Sequence, residues 1–368
     1  MAKKKTGTLM TLLDRYISKQ FLFILFFALI AFTTVFIIVD LIENLDDLIS
    51  QQVPLGVAIE LYLYSLPFMV ILILPVAMLL ASLFSVGNMS RHNEIVAMKS
   101  AGISLYRILL PLFVIGFLMS LVALAFGEYV VPPASERYAY LNDQYLEKHR
   151  EAWRKRIDQP FVRDHQNRLV SMRYFNTARN IGYFVSIRKF KDQTLLFRID
   201  SRKITWQDST WVLDQGYIRN FDDGNETATA FTNYKLDNTN LVPEDFARFL
   251  KEPEQMSYKE LSLFIKEVER NGSKPDRWLV DLYLKIAIPF ANLIIVLFGA
   301  PLSSPKRRGS TATGFGISLA ICFIYFGIVK TAQAMGQAGT LDPLFAAWIA
   351  NILFGIAGVI VLVKATRT

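Results

Sequence analysis

Apolar residues gather along the chain into six runs of about 20 residues: Phe21–Val39, Leu66–Val86, Ile108–Gly127, Ile286–Leu302, Gly314–Val329 and Phe345–Val363. A helix rises about 1.5 Å per residue, so each run can cross roughly 30 Å of hydrocarbon, the fourth and fifth by borrowing flanking residues. Six such runs leave too little polar surface for a soluble protein, and the pattern predicts an α-helical polytopic membrane protein with six transmembrane helices. Between the third and fourth runs the period changes. After a charged stretch, Glu136–Arg156, that reads as a helical continuation of the third run, apolar and polar positions alternate. Ile181, Tyr183, Val185 and Ile187 oppose Gly182, Ser186 and Arg188; Leu195, Phe197 and Ile199 oppose Arg198 and Asp200. A period of two belongs to a strand with one buried face. Strands are expected at Arg168–Phe175, Ile181–Phe190, Thr194–Trp206, Trp211–Phe221 and Glu226–Leu236, parted by turn-rich pieces at Asn176–Asn180, Gln207–Ser209 and Asp222–Asn225. Spacing of about ten residues points to an antiparallel sandwich or open barrel. The expected layout is a first transmembrane half over residues 1–127, a β-rich insertion with flanking helices over 128–278, and a second transmembrane half over 279–368.

Composition agrees with this reading, with 52% hydrophobic and only 20% charged residues. The net charge of +8 could signal nucleic acid, so its placement matters more than its sign. Residues 128–278 hold 25 Lys/Arg against 23 Asp/Glu, and most of the excess lies beside the spans. Lys3, Lys4, Lys5, Arg15 and Lys19 lead into the first span; Arg91, Lys99 and Arg107 lie between the second and third. Lys306, Arg307 and Arg308 lie between the fourth and fifth, and Lys364 and Arg367 follow the sixth. The connection after the first span instead carries Asp40, Glu43, Asp46 and Asp47. The positive-inside rule therefore predicts cytoplasmic termini and an external insertion, and leaves no nucleic-acid footprint. The leader resembles a signal peptide, but its apolar run is long and runs into acidic residues without a small-x-small site, so it is expected to stay as the first span. Cys322, the single cysteine, can form no intrachain disulfide.

Catalytic signatures are missing. The sequence has no GxxxxGK[ST] phosphate loop and no GxSxG elbow, and His92, His149 and His165 have no Cys or His partner at metal spacing. Neither an enzyme nor a bound cofactor is expected. Two cations in or beside spans stand out, Lys285 and Lys330, because an ammonium in a membrane faces a counter-ion, a cavity or a polar ligand. Asp281 lies four residues before Lys285 and can pair with it, while snorkelling to the outer surface is the competing reading for both lysines. Ser257 and Glu260 form a capping box opening an amphipathic helix that stops near Asn271-Gly272. SRHNEIVAMKSAGIS, Ser90–Ser104, is too polar to span, rich in helix formers, and ends at Gly102 in a C-cap position. It reads equally as a helix lying on lipid or as one meeting a protein partner.

Four stretches carry a resemblance: LDRYI (Leu13–Ile17), NEIVAMKSAGIS, GEYVVPP (Gly127–Pro133) and GTLDPLFAAWIANILF (Gly339–Phe354). Together with the order of three spans, β-rich insertion and three spans, they resemble the LptF/LptG family, the permease subunits of the lipopolysaccharide-exporting ABC transporter. The opening and the GEYVVPP exit lean to the LptG branch. The acidic residues after span one depart from the basic ones expected there for lipid A phosphates, so no phosphate site is carried over. The resemblance implies a multi-pass inner-membrane protein whose periplasmic domain is jellyroll-like. It implies a cavity shared with a sister LptF/LptG permease and a separate LptB-like ATPase dimer. Cargo would pass to LptC-like and LptA-like periplasmic proteins. On this reading Glu94 contacts the ATPase with Met98, Ala101 and Gly102 shaping the contact. Lys285 and Lys330 would meet the anionic cargo, and Tyr183, Val185, Ile187, Leu195, Phe197 and Ile199 are candidates to cradle acyl chains, against the plainer reading of sandwich core. Two rivals remain: the permease-like subunit of another ABC system transmitting ATPase motion to the periplasm, and a membrane-anchored structural or sensor protein.

Overall fold

A computed structural model describes residues 12–146, 156–158, 160–191, 194–222, 225–247, 251–270, 274–304 and 311–367. The basic residues Lys3–Lys5 and Lys306–Arg308, His149, and part of the stretch expected to continue the third span lie outside them. Two compact units are present: Met1–Ala139 with Pro253–Ser262 and Pro275–Thr368, and Tyr140–Glu252 with Leu263–Lys274.

The first unit holds six helices long and apolar enough to span: α1 (Leu12–Ser50), α2 (Leu55–Arg91), α4 (Leu105–Tyr129), α8 (Asp276–Ser303), α9 (Thr311–Gln337) and α10 (Pro343–Arg367). Every run expected from hydropathy is one of these helices, each longer than its run, because a helix continues past the apolar stretch until a turn stops it. Proline, asparagine and glycine set several stops. Gly339 takes φ +74 after α9; Asp342 then accepts from the backbone N–H groups of Leu344 (3.0 Å) and Phe345 (3.1 Å), and Pro343 occupies the first position of α10. Between α2 and α4 lies the short α3 (Glu94–Ser100), and α5 (Val131–Tyr145) follows α4.

Two buried clusters organise the spans. One joins Ile17, Phe21 and Leu25 of α1 with Leu74, Met78 and Val86 of α2, Ile108 and Leu112 of α4, and Val296 of α8. The other joins Leu79 and Leu83 of α2 with Val280, Leu284 and Ile295 of α8, Tyr325 of α9 and Ala346, Ala347 and Ala350 of α10. Helices α2 and α8 belong to both, and they approach closely where a Cβ on Gly299 would fall 2.6 Å from both Leu79 Cδ1 and Ser82 Oγ. Small residues at such crossings are what membrane helices use to gain dispersion contact, since lipid is already apolar. Inside the second cluster Asn351 donates to the Ala287 carbonyl (2.7 Å) and accepts from Tyr325 Oη (2.9 Å), tying α8, α9 and α10 at one buried point.

The second unit is an antiparallel sheet of seven strands: β1 (Arg156–Asp158), β2 (Phe161–Arg163), β3 (Arg168–Asn176), β4 (Ile181–Lys191), β5 (Thr194–Gln207), β6 (Thr210–Asp222) and β7 (Asn225–Leu236). Strands β1 and β2 share one edge of β3, pairing Ile157 with Phe175 and Val162 with Val170. From β3 to β7 each strand pairs with the next, Ile187 facing Ile199 and Ile204 facing Leu213. The five expected strands are all present. Among the described residues their order is a meander, and the sheet is open. Short turns explain it: Asp208 and Ser209, both at positive φ, close β5 on β6 as a two-residue hairpin, and no long connection is left to cross the sheet. One face buries Val170, Val185, Ile187, Ile199, Leu213 and Trp211, covered by Leu241 and by Phe246 from helix α6 (Pro243–Ala247). Trp211 Nε1 donates to the Leu241 carbonyl at 2.8 Å.

Candidate functional site: the α3 turn and the polar cluster at the opposite end

The connection from α2 to α4 is built as a rigid turn. It enters through Asn93 at φ 59 and leaves through Gly102 at φ +83. The Ile103 N–H bonds to the Met98 carbonyl and the Gly102 N–H to the Lys99 carbonyl, both at 3.0 Å, which is the Schellman closure. Gly102 is therefore the end signal its position predicted. Ser104 caps α4 by accepting from the Arg107 N–H at 3.4 Å. Ile95 is 3% exposed and fixes α3 to the first cluster, with Met98 and Ile103 packed against it. Val96, Ala97, Lys99, Ser100, Ala101 and Gly102 face outward. Of the expected coupling residues, then, Ala101 and Gly102 are exposed, Glu94 is half-buried and Met98 turns inward.

Two polar joints from the start of α1 hold this turn. Arg107 Nη1 and Nη2 donate to Asp14 Oδ1 and Oδ2 at 2.7 and 2.8 Å, a bidentate pair in which Asp14 is 9% exposed. Tyr16 Oη stands 3.2 and 3.0 Å from the two Glu94 carboxylate oxygens and donates to that group. Ile17 between them is completely buried. Charge-assisted bidentate pairs fix geometry as well as energy. From sequence Arg107 stood out only as a topology signal, and Asp14 and Tyr16 only by lying in LDRYI; the paired residues are 93 and 78 positions apart. At the same end, Ser90 Oγ donates to the Ser304 carbonyl (2.9 Å), joining the α2 end to the α8 end.

At the opposite end of α8, Asp281 is half-buried. Its Oδ1 accepts from Gln333 Nε2 and Gln337 Nε2, both at 2.9 Å. The glutamines are four apart on one face of α9, the sequence signal that was available, and they take the carboxylate expected to pair with Lys285. No Asp281–Lys285 ion pair occurs among the described residues. Lys285, also half-buried, lies within electrostatic reach of Glu254, Glu128, Asp281 and Glu260. Glu128, in GEYVVPP, accepts from the Tyr258 N–H at 2.7 Å, and the Ser257/Glu260 capping box is formed at 3.2 and 2.8 Å, opening α7 (Tyr258–Arg270). Lys330 is exposed, its Nζ donating to Gln333 Oε1 (3.2 Å).

In the sheet, Val185, Ile187 and Ile199 lie in the core at 3% exposure or less. Tyr183 stacks on Tyr174 with ring centroids 4.6 Å apart, and Leu195 and Phe197 are half-buried. No group of three or more metal-binding side chains occurs among the described residues.

The lipopolysaccharide export system permease LptF/LptG family model matches residues 15–364. The LptG protein of Escherichia coli K12 is 20% identical over 96% of this chain and 98% of its own length, and that of Haemophilus influenzae 21% over 93% and 95%. The Escherichia coli K12 LptF protein is 22% identical over 87% of this chain and 86% of its own. Six spanning helices and a match over almost the whole length lead to one assignment: this multi-pass inner-membrane protein belongs to the LptF/LptG family of lipopolysaccharide export permeases.

Proposed function

We propose that the chain is a non-catalytic permease subunit that takes lipopolysaccharide from the inner membrane and delivers it to a periplasmic bridge of LptC-like and LptA-like proteins. It works beside a sister permease and is driven by a separate ATPase dimer. Both termini and α3 face the cytoplasm and the sheet lies in the periplasm. The observation that carries this reading is the α3 turn. A seven-residue helix with an outward face, closed by a Schellman bond and held by Asp14–Arg107 and Tyr16–Glu94, is a stiff projection from the bundle of spans. A stiff projection transmits displacement; a flexible loop absorbs it. Glu94 meets a cation of the ATPase, and Ala101 and Gly102 let its surface approach, while Met98 shapes the contact from beneath. Free energy enters through different ATPase affinities for two states of the permease.

At the other end, Lys285 and Lys330 offer cations to the phosphates of the cargo. Tyr183, Leu195 and Phe197 line the acyl path on the sheet, and Val185, Ile187 and Ile199 join it when the open sheet spreads. The test is Glu94→Lys in the complex co-expressed with the ATPase. The variant is expected to insert normally, to lose the ATPase on purification and to stop export. Normal export with the ATPase retained overturns the assignment.

A further inference from the structure

We propose that Asp14 and Tyr16 are positioning residues which couple the first span to α3, so that ATPase motion entering the turn between α2 and α4 is passed on to α1. The inference rests on the docking role given to α3 above and adds where the motion goes. Two observations carry it. The first is geometry. Glu94 opens α3 and Arg107 lies in the first turn of α4, so the two bracket the turn, and their partners Tyr16 and Asp14 are two residues apart on α1. One turn of α1 is thus stapled to both ends of the coupling element, with Ile17 buried between the staples. A displacement of α3 has no play before it reaches α1.

The second observation is packing. Only 11% of the apolar window of α1 is buried inside the chain, the lowest value of the six spans; for α2 it is 67% and for α8 50%. The helices that share both clusters with their neighbours resist translation, because every interdigitated side chain must repack. Helix α1 interdigitates along its first half, through Ile17, Phe21, Leu25 and Ala28 and the partly buried Ile24 and Phe32, and its outward Phe23, Phe26 and Phe27 exchange one apolar environment for another when it moves. The span bound most tightly to α3 by polar joints is therefore the one held least by packing.

Glu94 has a second role in this arrangement. Its carboxylate is already engaged by Tyr16, so a cation arriving from the ATPase acts on a group that is hydrogen-bonded to α1. A carboxylate can accept from both at once. The phenol then stays bonded as the ATPase pulls, and the joint works as a tether.

The test uses the whole transporter, with ATPase and sister permease, reconstituted in proteoliposomes loaded with lipopolysaccharide. Tyr16→Phe removes one hydroxyl from a half-exposed ring, so folding is spared; Asp14→Asn weakens the other staple. Three quantities are read: ATPase retained on purification, ATP hydrolysed, and lipopolysaccharide released per ATP. The expected result is retained ATPase and sustained hydrolysis with release per ATP lowered about fivefold or more, the lower end of ordinary coupling factors. Exchanging the charges, Asp14→Arg with Arg107→Asp, is expected to restore release more than either change alone. If Tyr16→Phe and Asp14→Asn release as much per ATP as the natural chain, the tether is wrong while ATPase docking stands. If the natural chain does not retain the ATPase, the docking reading fails and this inference falls with it.

Discussion

The first and second spans are 39 and 37 residues long and both carry a strongly apolar window, yet they are held in opposite ways. Helix α2 is buried mainly from Met69 to Ser90 and there presents small side chains, Ala77, Ala81, Ser82 and Ser85, to its neighbours; Gly299 of α8 lies against it. Helix α1 presents phenylalanines outward and is fastened by Asp14 and Tyr16 at one end. Hydropathy does not separate these cases, because in a bilayer an apolar side chain gains little by leaving lipid for protein. What separates them is residue size at crossings and the placement of a few polar groups. The span fixed by close packing is the frame, and the span fixed by end joints is free to move with what it is joined to.

Breaking the packed side of this comparison should have the largest effect. Gly299→Leu forces a side chain into space filled by Leu79 and Ser82, and overpacking of this kind costs about 3 kcal/mol. The melting temperature in detergent is expected to fall steeply, with loss of folded chain on size-exclusion chromatography. Gly102→Ala acts on the joint. A Cβ at φ +83 costs about 1–2 kcal/mol and strains the Schellman closure, so a smaller drop in melting temperature and a lower export per ATP are expected. The smallest effect sharpens the contrast. Ala31→Leu adds a larger side chain to the outward face of α1 and should change stability by less than about 0.5 kcal/mol, as exposed substitutions usually do. If Ala31→Leu destabilised as strongly as Gly299→Leu, the distinction between the two spans would be unsound.

What could be read from sequence followed the range of the interaction. The strands β3 to β7 were legible almost to their ends, because period-two alternation and turn residues are local. The expected face of β4 was not: at Phe184 (φ 53) the alternation breaks, so Gly182 and not Tyr183 is buried with Val185 and Ile187. The Ser257/Glu260 capping box and the Gly102 stop were legible too. The six spans were legible as spans but not in extent, since length beyond the hydrocarbon core is set by capping and not by hydropathy. The meander order was less legible, as the same strands could have served a sandwich with crossed connections. Least legible were the long-range polar joints. Nothing local connects Asp14 to Arg107 or Tyr16 to Glu94. The i, i+4 rule offered Lys285 to Asp281, whereas Gln333 and Gln337 from another helix hold that carboxylate. Of the candidate residues, Glu94 stood out through family resemblance, and the structure adds the tyrosine that shares it.

The central claim is that α3 moves the first span against a frame containing the second. It is tested most directly by pulsed electron spin resonance on the assembled transporter in a Cys322→Ala background, with nitroxides at Phe23 and Ile356, and separately at Leu63 and Ile356, all outward-facing positions. On trapping ATP the Phe23–Ile356 distance is expected to shift while Leu63–Ile356 stays unchanged, and the shift should disappear when Tyr16→Phe is combined with Asp14→Asn. A first span that stays in place, or a second span that moves equally, would contradict the account.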